Sequence, residues 1–343
     1  MTYRVGITPE GVAPDGSTMY GDIGLARLRD AGIDWEILPR GTEHHLRPED
    51  VVGYDAVIAF THSRIDADLG SLEPRLRHVA RYGAGYDGID VAGLAESGIV
   101  LTNTPAAVRR PLALAGLTLM LNLGHRFEEN ARAAREGRWT ERGTMRGRGF
   151  VGKTIGVIGL GSVGSEFVRL ALPLGARIIS EHRPSAIRVA EELGIELVSR
   201  EELAASADYV VLAAALTPSS HHLVDAAFLQ LMKPTAFIVN IGRGPLIDQA
   251  ALTSALRDGL LAGAGLDVLE VEPPAADEPL LHMPNAIVTP HALCVTEDFV
   301  DAVSDDLIED LLRGSRGERP RYAVNPGVFE AWRGDTARSE VSE

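Results

Sequence analysis

The chain of 343 residues is poor in cysteine, in positive charge and in long apolar runs. Its one cysteine, Cys294, excludes an intramolecular disulfide framework and indicates a reducing, cytoplasmic setting. The formal net charge of -15 opposes nucleic acid and anionic membrane surfaces as partners, because the field repels phosphate groups. The most apolar stretch, residues 112–123, is too short to span a bilayer, and the N-terminus lacks the apolar core of a signal peptide. We therefore expect neither export nor membrane insertion.

Two adjacent histidine pairs, at 44–45 and 221–222, are the most visible metal-ligand candidates. Neighbouring histidines on a loop rarely share one ion, and no convergent acids accompany either pair in the sequence. We interpret both pairs as structural or surface residues and expect no metal site.

Between residues 153 and 291, short β-branched runs alternate with longer amphipathic stretches, which is typical of a parallel sheet with helical crossovers. These runs are apolar throughout and do not alternate apolar with polar residues, as expected for strands covered on both faces. Six strands are predicted there: 154–159, 176–180, 209–215, 236–241, 262–268 and 286–290. The N-terminal part repeats the pattern more weakly, with strand candidates at 4–8, 33–39, 54–60, 76–82 and 99–103. A 45% hydrophobic chain of this length is large enough for two cores, so a two-domain α/β fold is predicted.

Two long helical stretches mark the domain boundaries. Residues 103–126 begin as a loop and become a helix opened by Pro111, since proline is favoured at the first helical position. The amphipathic run 297–313 predicts a helix that returns the chain to the first domain. The polar tail, 333–343, is expected to be disordered. The predicted domains are 1–102 with 296–332, and 103–295.

A glycine-rich turn, GLGSVG, follows the first strand of the second domain and opens a helical pattern. In that context Gly159 permits the tight turn, Gly161 lets the backbone approach a pyrophosphate, and Gly164 lets the helix pack on the strand. Ser162 and Val163 lie at the helix N-terminus, where backbone amides and the helix dipole attract phosphate. The turn predicts a bound dinucleotide, NAD or NADP.

The residues expected to bind the adenosine ribose leave the choice between NAD and NADP open. Dinucleotide sites usually place an acid at the end of the second strand. Here His182 occupies that place, Arg183 is suited to a 2′-phosphate, and Glu181 is still within reach of ribose hydroxyls.

Three polar residues follow three successive predicted strands: Arg243, Glu272 and His291. Neutral imidazole suits proton transfer near neutral pH, and a carboxylate fixes its tautomer. A guanidinium between two glycines suits a substrate carboxylate and the adjacent carbonyl. A lone histidine after a strand is more often structural than catalytic, and Glu272 and Arg243 could each be surface loop residues. Ligands of open α/β sheets, however, bind beyond the carboxyl ends of strands, where all three residues fall. The trio therefore predicts a hydride-transfer site.

The ordered motifs of the chain resemble the D-isomer-specific 2-hydroxyacid dehydrogenase family over nearly its whole length. The motifs are RYGAGYDGID (81–90), LTNTP (101–105), GKTIGVIGLGSVG (152–164), ALTPSS (215–220), NIGRGPLID (240–248), AGLDVLEVEPP (264–274) and VTPHAL (288–293). The resemblance implies two Rossmann-like parallel-sheet domains, with a dinucleotide-binding domain (103–295) inserted in a flavodoxin-like substrate-binding domain, and an active site between the lobes. It also implies a homodimer formed through the dinucleotide-binding domains, with the segment around Trp139 reaching toward the neighbouring subunit.

The resemblance further implies individual site roles. Arg243 would bind the substrate carboxylate and carbonyl, His291 would be the acid/base, and Glu272 its partner. Backbone amides around Ala84 and Gly85 would add donors to the substrate carboxylate. The further implied cofactor contacts come from Asp267, Thr104, Thr217 and Pro218.

The chain departs from the family pattern at two places. Two arginines, Arg109 and Arg110, precede the long helix where the family commonly continues toward an Ala-Glu pair. Either arginine binds a second anionic group of the substrate, such as a phosphate or phosphonate, or both pair with nearby acids or across the dimer. Tyr82 replaces a smaller residue and is expected to narrow the pocket or donate a hydrogen bond to substrate.

These observations predict an NAD(P)-dependent D-2-hydroxyacid dehydrogenase (EC 1.1.1.-) that interconverts a small 2-oxo acid and its (R)-2-hydroxy acid. The alternative is a dinucleotide-sensing binding protein like the corepressors that share this fold. A sensor has little need for Arg243, Glu272 and His291 together.

Overall fold

The computed structural model describes residues 2–11, 17–42, 44–60 and 63–329. The predicted disordered tail, 333–343, lies outside the described residues. The chain divides into two compact units, one comprising residues 1–108 with those from 296 onward, and the other residues 109–295. The assignment of substrate binding to one unit and dinucleotide binding to the other remains a prediction.

All strands pair in parallel within three sheets. The strands of the first unit are β1 (Arg4–Ile7), β2 (Asp34–Ile37), β3 (His45–Leu46), β4 (Ala56–Ala59), β5 (Arg64–Ile65), β6 (His78–Arg81) and β7 (Val100–Thr102). Those of the second unit are β8 (Thr154–Ile158), β9 (Arg177–Glu181), β10 (Glu196–Val198), β11 (Tyr209–Leu212), β12 (Phe237–Asn240), β13 (Gly263–Leu266) and β14 (Ala286–Val288).

The helices follow the crossover pattern that parallel strands require. In chain order they are α1 (Leu25–Asp30), α2 (Val91–Glu96), α3 (Pro105–His125), α4 (Phe127–Arg135), α5 (Ser162–Ala171), α6 (Ile187–Leu193), α7 (Arg200–Ser206), α8 (Ala226–Leu231), α9 (Gln249–Arg257) and α10 (Glu297–Ser315). None of the helices in the described ranges has both the length and the apolarity that a membrane span requires.

The two larger sheets have the strand orders of doubly wound folds. The first unit has the order β2-β1-β4-β6-β7, with a separate β3-β5 pair, and the second has β10-β9-β8-β11-β12-β13-β14. Counted within each unit, the first order is 2-1-3-4-5, as in flavodoxin, and the second begins 3-2-1-4-5-6, as in dinucleotide-binding domains. The predicted fold class, with two Rossmann-like parallel sheets, is confirmed.

The structure corrects two details of the sequence prediction. The second unit has seven strands rather than six, because β10 is a three-residue edge strand whose partial exposure gives it little apolar signal. The long helix α3 begins at Pro105, and Pro111 lies inside it. Proline is favoured at the first position of a helix because the N–H that it lacks would have no partner there. Pro105 and Pro111 both satisfy this local rule, so the sequence did not show which of them begins the helix.

Apolar residues of the central strands form the core of the second unit. Every residue of β11 and β12 is buried, and Tyr209 pairs with Ile155 on one side and Phe237 on the other. Since both faces are covered, polar side chains are left to the loops that follow the strands. Those loops carry the candidate site.

Candidate active site

Steric limits explain two of the three glycines of the turn between β8 and α5. Gly159 has φ +98°, and a Cβ there would lie 2.6 Å from the backbone N and Cα of Ala214. A Cβ on Gly164 would lie 1.8 Å from the carbonyl oxygen of Gly159. Gly161, which precedes α5, has no atom of the described residues within 4 Å of its Cβ position. The first and third glycines are therefore required by packing, whereas the second leaves open space at the helix N-terminus.

A cavity of about 360 Å³ lies over this turn. It is lined by Ile158, Gly159, Leu160, Gly161, Glu181, Arg183, Ser185, Ala186, Ala213, Ala214, Ala215, Thr217, Ser219, Ser220 and Leu223. Among the predicted cofactor residues, Ser162 and Val163 form the first turn of α5, while His182 and Pro218 are exposed and do not line the cavity. The cavity thus joins the glycine turn to the end of β9, as a bound dinucleotide requires.

Two guanidinium groups converge on one carboxylate at the end of β9. Glu181 Oε1 lies 3.1 Å from Arg183 and 2.9 Å from Arg200, and the Glu181 side chain is only 10% exposed. The arrangement carries one negative and two positive charges. Arg200 follows β10, the strand that sequence reasoning missed, so its part in this cluster was not predicted.

His291 and Glu272 form a direct pair. Nδ1 of His291 lies 2.7 Å from Oε2 of Glu272, and both side chains are about a quarter exposed. The other carboxylate oxygen of Glu272 accepts a hydrogen bond from the backbone N–H of Leu269 at 2.8 Å. His291 also has φ +53°, a left-handed conformation that is uncommon for a residue other than glycine. The carboxylate therefore fixes the ring, and the backbone holds the histidine in an unusual orientation.

The Arg243 segment is braced by a buried amide. Asn240, at the end of β12, accepts a hydrogen bond from the N–H of Gly242 and donates to the carbonyl of Arg243, both at 2.9 Å. A Cβ on Gly244 would lie 1.9 Å from the carbonyl oxygen of Leu269, so this segment touches the one that carries Glu272. Arg243 itself is half-buried, and its Nη1 donates to Gly242. The role of Asn240 was missed, although its position at a strand end was visible in the sequence.

The two carboxylate oxygens of Asp267, at the end of β13, differ in their hydrogen bonding. Its Oδ1 accepts hydrogen bonds from Thr289 Oγ1 at 2.6 Å and from the backbone N–H groups of Ala292 and Leu293. Its Oδ2 is buried and has no hydrogen-bond partner among the described residues. Burial raises the pKa of Asp267, and those hydrogen bonds and the charge of His291 oppose the shift.

Direct contacts show that the strand-end segments lie close together: Gly244 packs on Leu269, and Asp267 accepts hydrogen bonds from the residues after His291. Burial raises the pKa of the Cys294 thiol to about 11; the charge of Asp267 adds to this shift and that of Arg243 opposes it. Asp267 therefore adjoins the segment that carries His291, and the Arg243 segment adjoins the one that carries Glu272.

In the first unit, the loop after β6 is held by its neighbours. The N–H of Gly83 donates to Thr104 Oγ1 at 3.1 Å, and Asn103 Nδ2 donates to the carbonyl of Ala84 at 2.8 Å. Thr104 is 1% exposed, so its hydroxyl serves this loop, whereas Ala84 and Gly85 are half-buried.

Tyr82 packs within the first unit. Its ring is 2% exposed and stacks on Tyr20 at 4.9 Å, and its hydroxyl lies 3.5 Å from Ser304. These contacts favour a structural role for Tyr82 over the predicted contact with substrate.

The two arginines near the start of α3 differ in their surroundings. Arg110 Nη1 lies 2.7 Å from Glu166 on α5, as the pairing alternative expects. Arg109 is exposed and forms no ion pair among the described residues. Only Arg109 therefore has its charge uncommitted.

One histidine of the 221–222 pair has an acid partner. His222 Nε2 lies 2.5 Å from Glu270, and in the other pair His45 Nε2 lies 2.8 Å from Asp66, which corrects the expectation that no acids accompany the pairs. The contact of His222 joins residues 48 positions apart, a separation at which the sequence pattern gives no signal. In the part of the chain that the structure describes, no group of three or more His, Cys, Asp or Glu side chains is arranged to hold a metal ion.

The described residues fit a nicotinamide dinucleotide. The open space at Gly161 suits a pyrophosphate on the N-terminus of α5, and the arginines near Glu181 suit the adenosine end. At the nicotinamide end, the buried Oδ2 of Asp267 has no hydrogen-bond partner among the described residues. It is therefore suited to accept a hydrogen bond from the carboxamide N–H of the nicotinamide.

Comparison with known proteins agrees with this fit. Residues 117–292 match the family model described as D-isomer specific 2-hydroxyacid dehydrogenase, NAD binding domain. The chain is 38% identical over 315 residues to a glyoxylate reductase of Thermococcus gammatolerans, covering 90% of this chain and 94% of that protein. It is 36% identical over 287 residues to a glyoxylate reductase of Thermococcus onnurineus, covering 82% and 86% of the two chains.

A solved structure is similar over nearly the whole chain. It is an NADPH-dependent glyoxylate/hydroxypyruvate reductase from Sinorhizobium meliloti in complex with NADP and malonate, with 28% identity and a TM-score of 0.81. The match covers 95% of this chain and 98% of that one. The chain belongs to the D-isomer specific 2-hydroxyacid dehydrogenase family, and it is an NAD(P)-dependent enzyme that interconverts 2-oxo acids and 2-hydroxy acids.

Proposed function

We propose that the protein reduces small 2-oxo acids of the glyoxylate and hydroxypyruvate class, yielding the (R)-2-hydroxy acid where the product is chiral. The observation that carries the proposal is the pair formed by His291 and Glu272 at 2.7 Å, together with the packing of the Arg243 segment against the one that carries Glu272. The names of the similar reductases support this substrate class.

In the proposed mechanism, Arg243 binds the substrate carboxylate and polarises the carbonyl oxygen at C2. When bound, the reduced nicotinamide supplies the hydride that C2 accepts. His291 donates a proton from Nε2 to the carbonyl oxygen, because Nδ1 is bonded to Glu272. The Glu272 carboxylate stabilises the imidazolium before this transfer and keeps the ring oriented. In the oxidative direction His291 takes the proton back from the hydroxyl.

The test follows NADPH and NADH absorbance with glyoxylate, hydroxypyruvate, 3-phosphohydroxypyruvate and phosphonopyruvate. His291→Gln is expected to lower kcat by about 10³-fold, since positioned general acids contribute roughly 10²–10⁴-fold. Dinucleotide binding, followed by fluorescence, should stay within about twofold. Binding without turnover of any of the acids would favour the dinucleotide sensor, and a fully active His291→Gln enzyme would reject the acid/base assignment.

Arg109 is proposed to bind a second anionic group where the substrate has one. Arg110 is already paired with Glu166, so Arg110→Ala is a matched control with the same change of charge. Arg109→Ala should lower kcat/KM about tenfold or more for phosphonopyruvate and leave glyoxylate nearly unchanged. Equal losses on both substrates would exclude this role.

We infer that NADP is preferred over NAD. The predicted place of the ribose-binding acid is occupied by His182, and the nearby Glu181 is already paired with Arg183 and Arg200. Arg183 also lines the cavity over the glycine turn, where its remaining donors suit a 2′-phosphate.

The cofactor preference is tested with Arg183→Ala. Loss of one charge-assisted contact of about 2 kcal/mol predicts a roughly 30-fold fall in kcat/KM for NADPH and little change for NADH. Arg188→Ala is the control, because Arg188 is 82% exposed and pairs with Glu192 on α6. A wild-type enzyme that prefers NADH, or an Arg183→Ala loss that is equal for both cofactors, would reject the inference.

We also propose a homodimer that forms through the second unit. Phe127 and Trp139 are 61% and 67% exposed in the structure, which is unusual for large apolar side chains. Residues 126–148 carry seven arginines and four glutamates on a chain of net charge -15, so the rest of a second copy is electrostatically complementary. Light scattering should give the mass of two chains.

We propose the cytoplasm as the location, because the reaction consumes reduced dinucleotide that the cell interior supplies.

A further inference from the structure

A second histidine–glutamate pair lies next to the first. His222 Nε2 is 2.5 Å from Glu270 Oε1, and the two side chains are 37% and 28% exposed. Glu270 stands two residues before Glu272 in the segment after β13. His222 comes from a different segment, between β11 and α8. The pair therefore ties a distant loop to the one that carries the partner of His291.

Both members of this pair are also fixed through their backbones. The N–H of Glu270 donates to Gln249 Oε1 at 2.9 Å, and the N–H of His222 donates to the carbonyl of Pro245 at 2.8 Å. His222 has φ +50°, a left-handed conformation that a non-glycine residue holds only when its surroundings enforce it. Because Pro245 lies two residues past Arg243, His222 contacts the segments of both Arg243 and Glu272.

Apolar packing holds only one end of the segment 269–272. Leu269 is 6% exposed, whereas Val271, between the two glutamates, is 68% exposed. The carbonyl of Leu269 abuts Gly244, where a Cβ would lie at 1.9 Å. Beyond Leu269, the segment is therefore held by polar contacts, and the Glu270 carboxylate supplies one of them.

We propose that His222 and Glu270 are positioning residues that hold the segment 269–272 and thereby place the Glu272 carboxylate against Nδ1 of His291. The inference rests on the proposed acid/base role of His291. Neither residue contacts substrate in this scheme. Their effect passes through Glu272, whose other oxygen is fixed by the N–H of Leu269. Small displacements of a catalytic group cost large factors in rate, up to about 10²-fold per ångström.

The kinetic test compares His222→Ala, His222→Gln and Glu270→Gln with a neighbouring control, His221→Ala. His221 is exposed and stacks on His222 with ring centroids 4.0 Å apart, but it has no acid partner among the described residues. His222→Ala and Glu270→Gln should lower kcat about tenfold, with the KM for dinucleotide unchanged. His222→Gln should recover part of the loss because its amide can still donate to Glu270. The double variant His222→Ala/Glu270→Gln should have a kcat no lower than that of either single variant, since the two residues act as one unit.

A second readout does not depend on activity. The NMR resonance of the His291 Nδ1–H proton, which reports the hydrogen bond to Glu272, should move upfield in His222→Ala, because a displaced carboxylate accepts that bond less well. It should not move in His221→Ala. If His222→Ala is poorly folded by circular dichroism, His222→Gln and Glu270→Gln provide the same comparison.

The possible outcomes distinguish a failure of the proposed function from a failure of the positioning role. A full-rate His291→Gln enzyme would reject the proposed function, while the NMR shift would still decide whether the pair positions Glu272. A His291 Nδ1–H resonance and a kcat that are the same in His222→Ala, Glu270→Gln and His221→Ala would overturn the positioning role.

Discussion

A buried histidine of the first unit predicts how stability depends on pH. His78 lies in β6 with no exposed surface, and its Nε2 is 2.8 Å from Thr102 Oγ1. Its Nδ1 is buried without a hydrogen-bond partner in the described structure. Burial lowers the pKa of His78 to about 3, from an ordinary value of 6.5. The folded protein therefore keeps this ring neutral under conditions where the unfolded chain protonates it.

The sign and size of the effect follow from proton linkage. Between pH 6.5 and pH 3 the unfolded state binds a proton that the folded state excludes, so the free energy of unfolding falls as the pH falls. The pKa difference predicts a loss of about 2 kcal/mol between pH 8 and pH 5, since each unit below 6.5 costs roughly 1.4 kcal/mol. Above pH 7 the ring is neutral in both states and contributes no pH dependence.

Urea unfolding of the wild type and of His78→Gln at pH 8 and pH 5 isolates this term. Glutamine can keep a hydrogen bond to Thr102 but does not titrate, so other groups cancel in the difference between the two proteins. The wild type should lose about 2 kcal/mol more than the variant on going to pH 5. A difference that stays constant within about 0.5 kcal/mol, or NMR evidence that His78 is protonated at pH 5 in the folded state, would refute the reasoning.

Further predictions concern the glycine turn and a buried carboxylate. Gly164→Ala should destabilise the second unit, because its Cβ would lie 1.8 Å from Gly159 O, whereas Gly161→Ala should fold normally and weaken only dinucleotide binding. Thermal unfolding and cofactor titration of both variants check this, and equal melting temperatures would contradict it. Asp310→Ala should lower the free energy of unfolding by about 2–4 kcal/mol, since it leaves the backbone N–H groups of Arg321 and Tyr322 without an acceptor. Urea unfolding measures the loss, and a cost below about 0.5 kcal/mol would show that these donors find other acceptors.

Long apolar runs and turn chemistry made the main elements predictable. The predicted run at 209–215 contains β11, and the one at 236–241 contains β12, because strands buried on both faces give a continuous signal. The signal fails where burial is partial, as at the edge strand β10. It also did not distinguish Pro105 from Pro111 as the start of α3, since both satisfy the same local rule.

The candidate site divides in the same way. His291, Glu272 and Arg243 were predictable because each directly follows an apolar strand, and parallel strands end at the same edge of a sheet. The pairing of Glu181 with Arg200 and of His222 with Glu270 was not, because each joins residues 19 or 48 positions apart through loops of irregular course. The exposed state of His182 and the burial of Tyr82 and Thr104 likewise depend on packing that no local pattern encodes.

By itself, the sequence determined the alternation of strands and helices, the glycine turn and the identities of the groups at strand ends. These are local properties, set by hydrophobic periodicity and by the conformations that glycine and proline allow. Only the tertiary structure decided which charges neutralise each other: Arg110 binds Glu166, whereas Arg109 has no ion-pair partner among the described residues. The reason is that ion pairs and hydrogen bonds form over about 3 Å, and distances of that size between distant segments are fixed only when the helices and sheets pack.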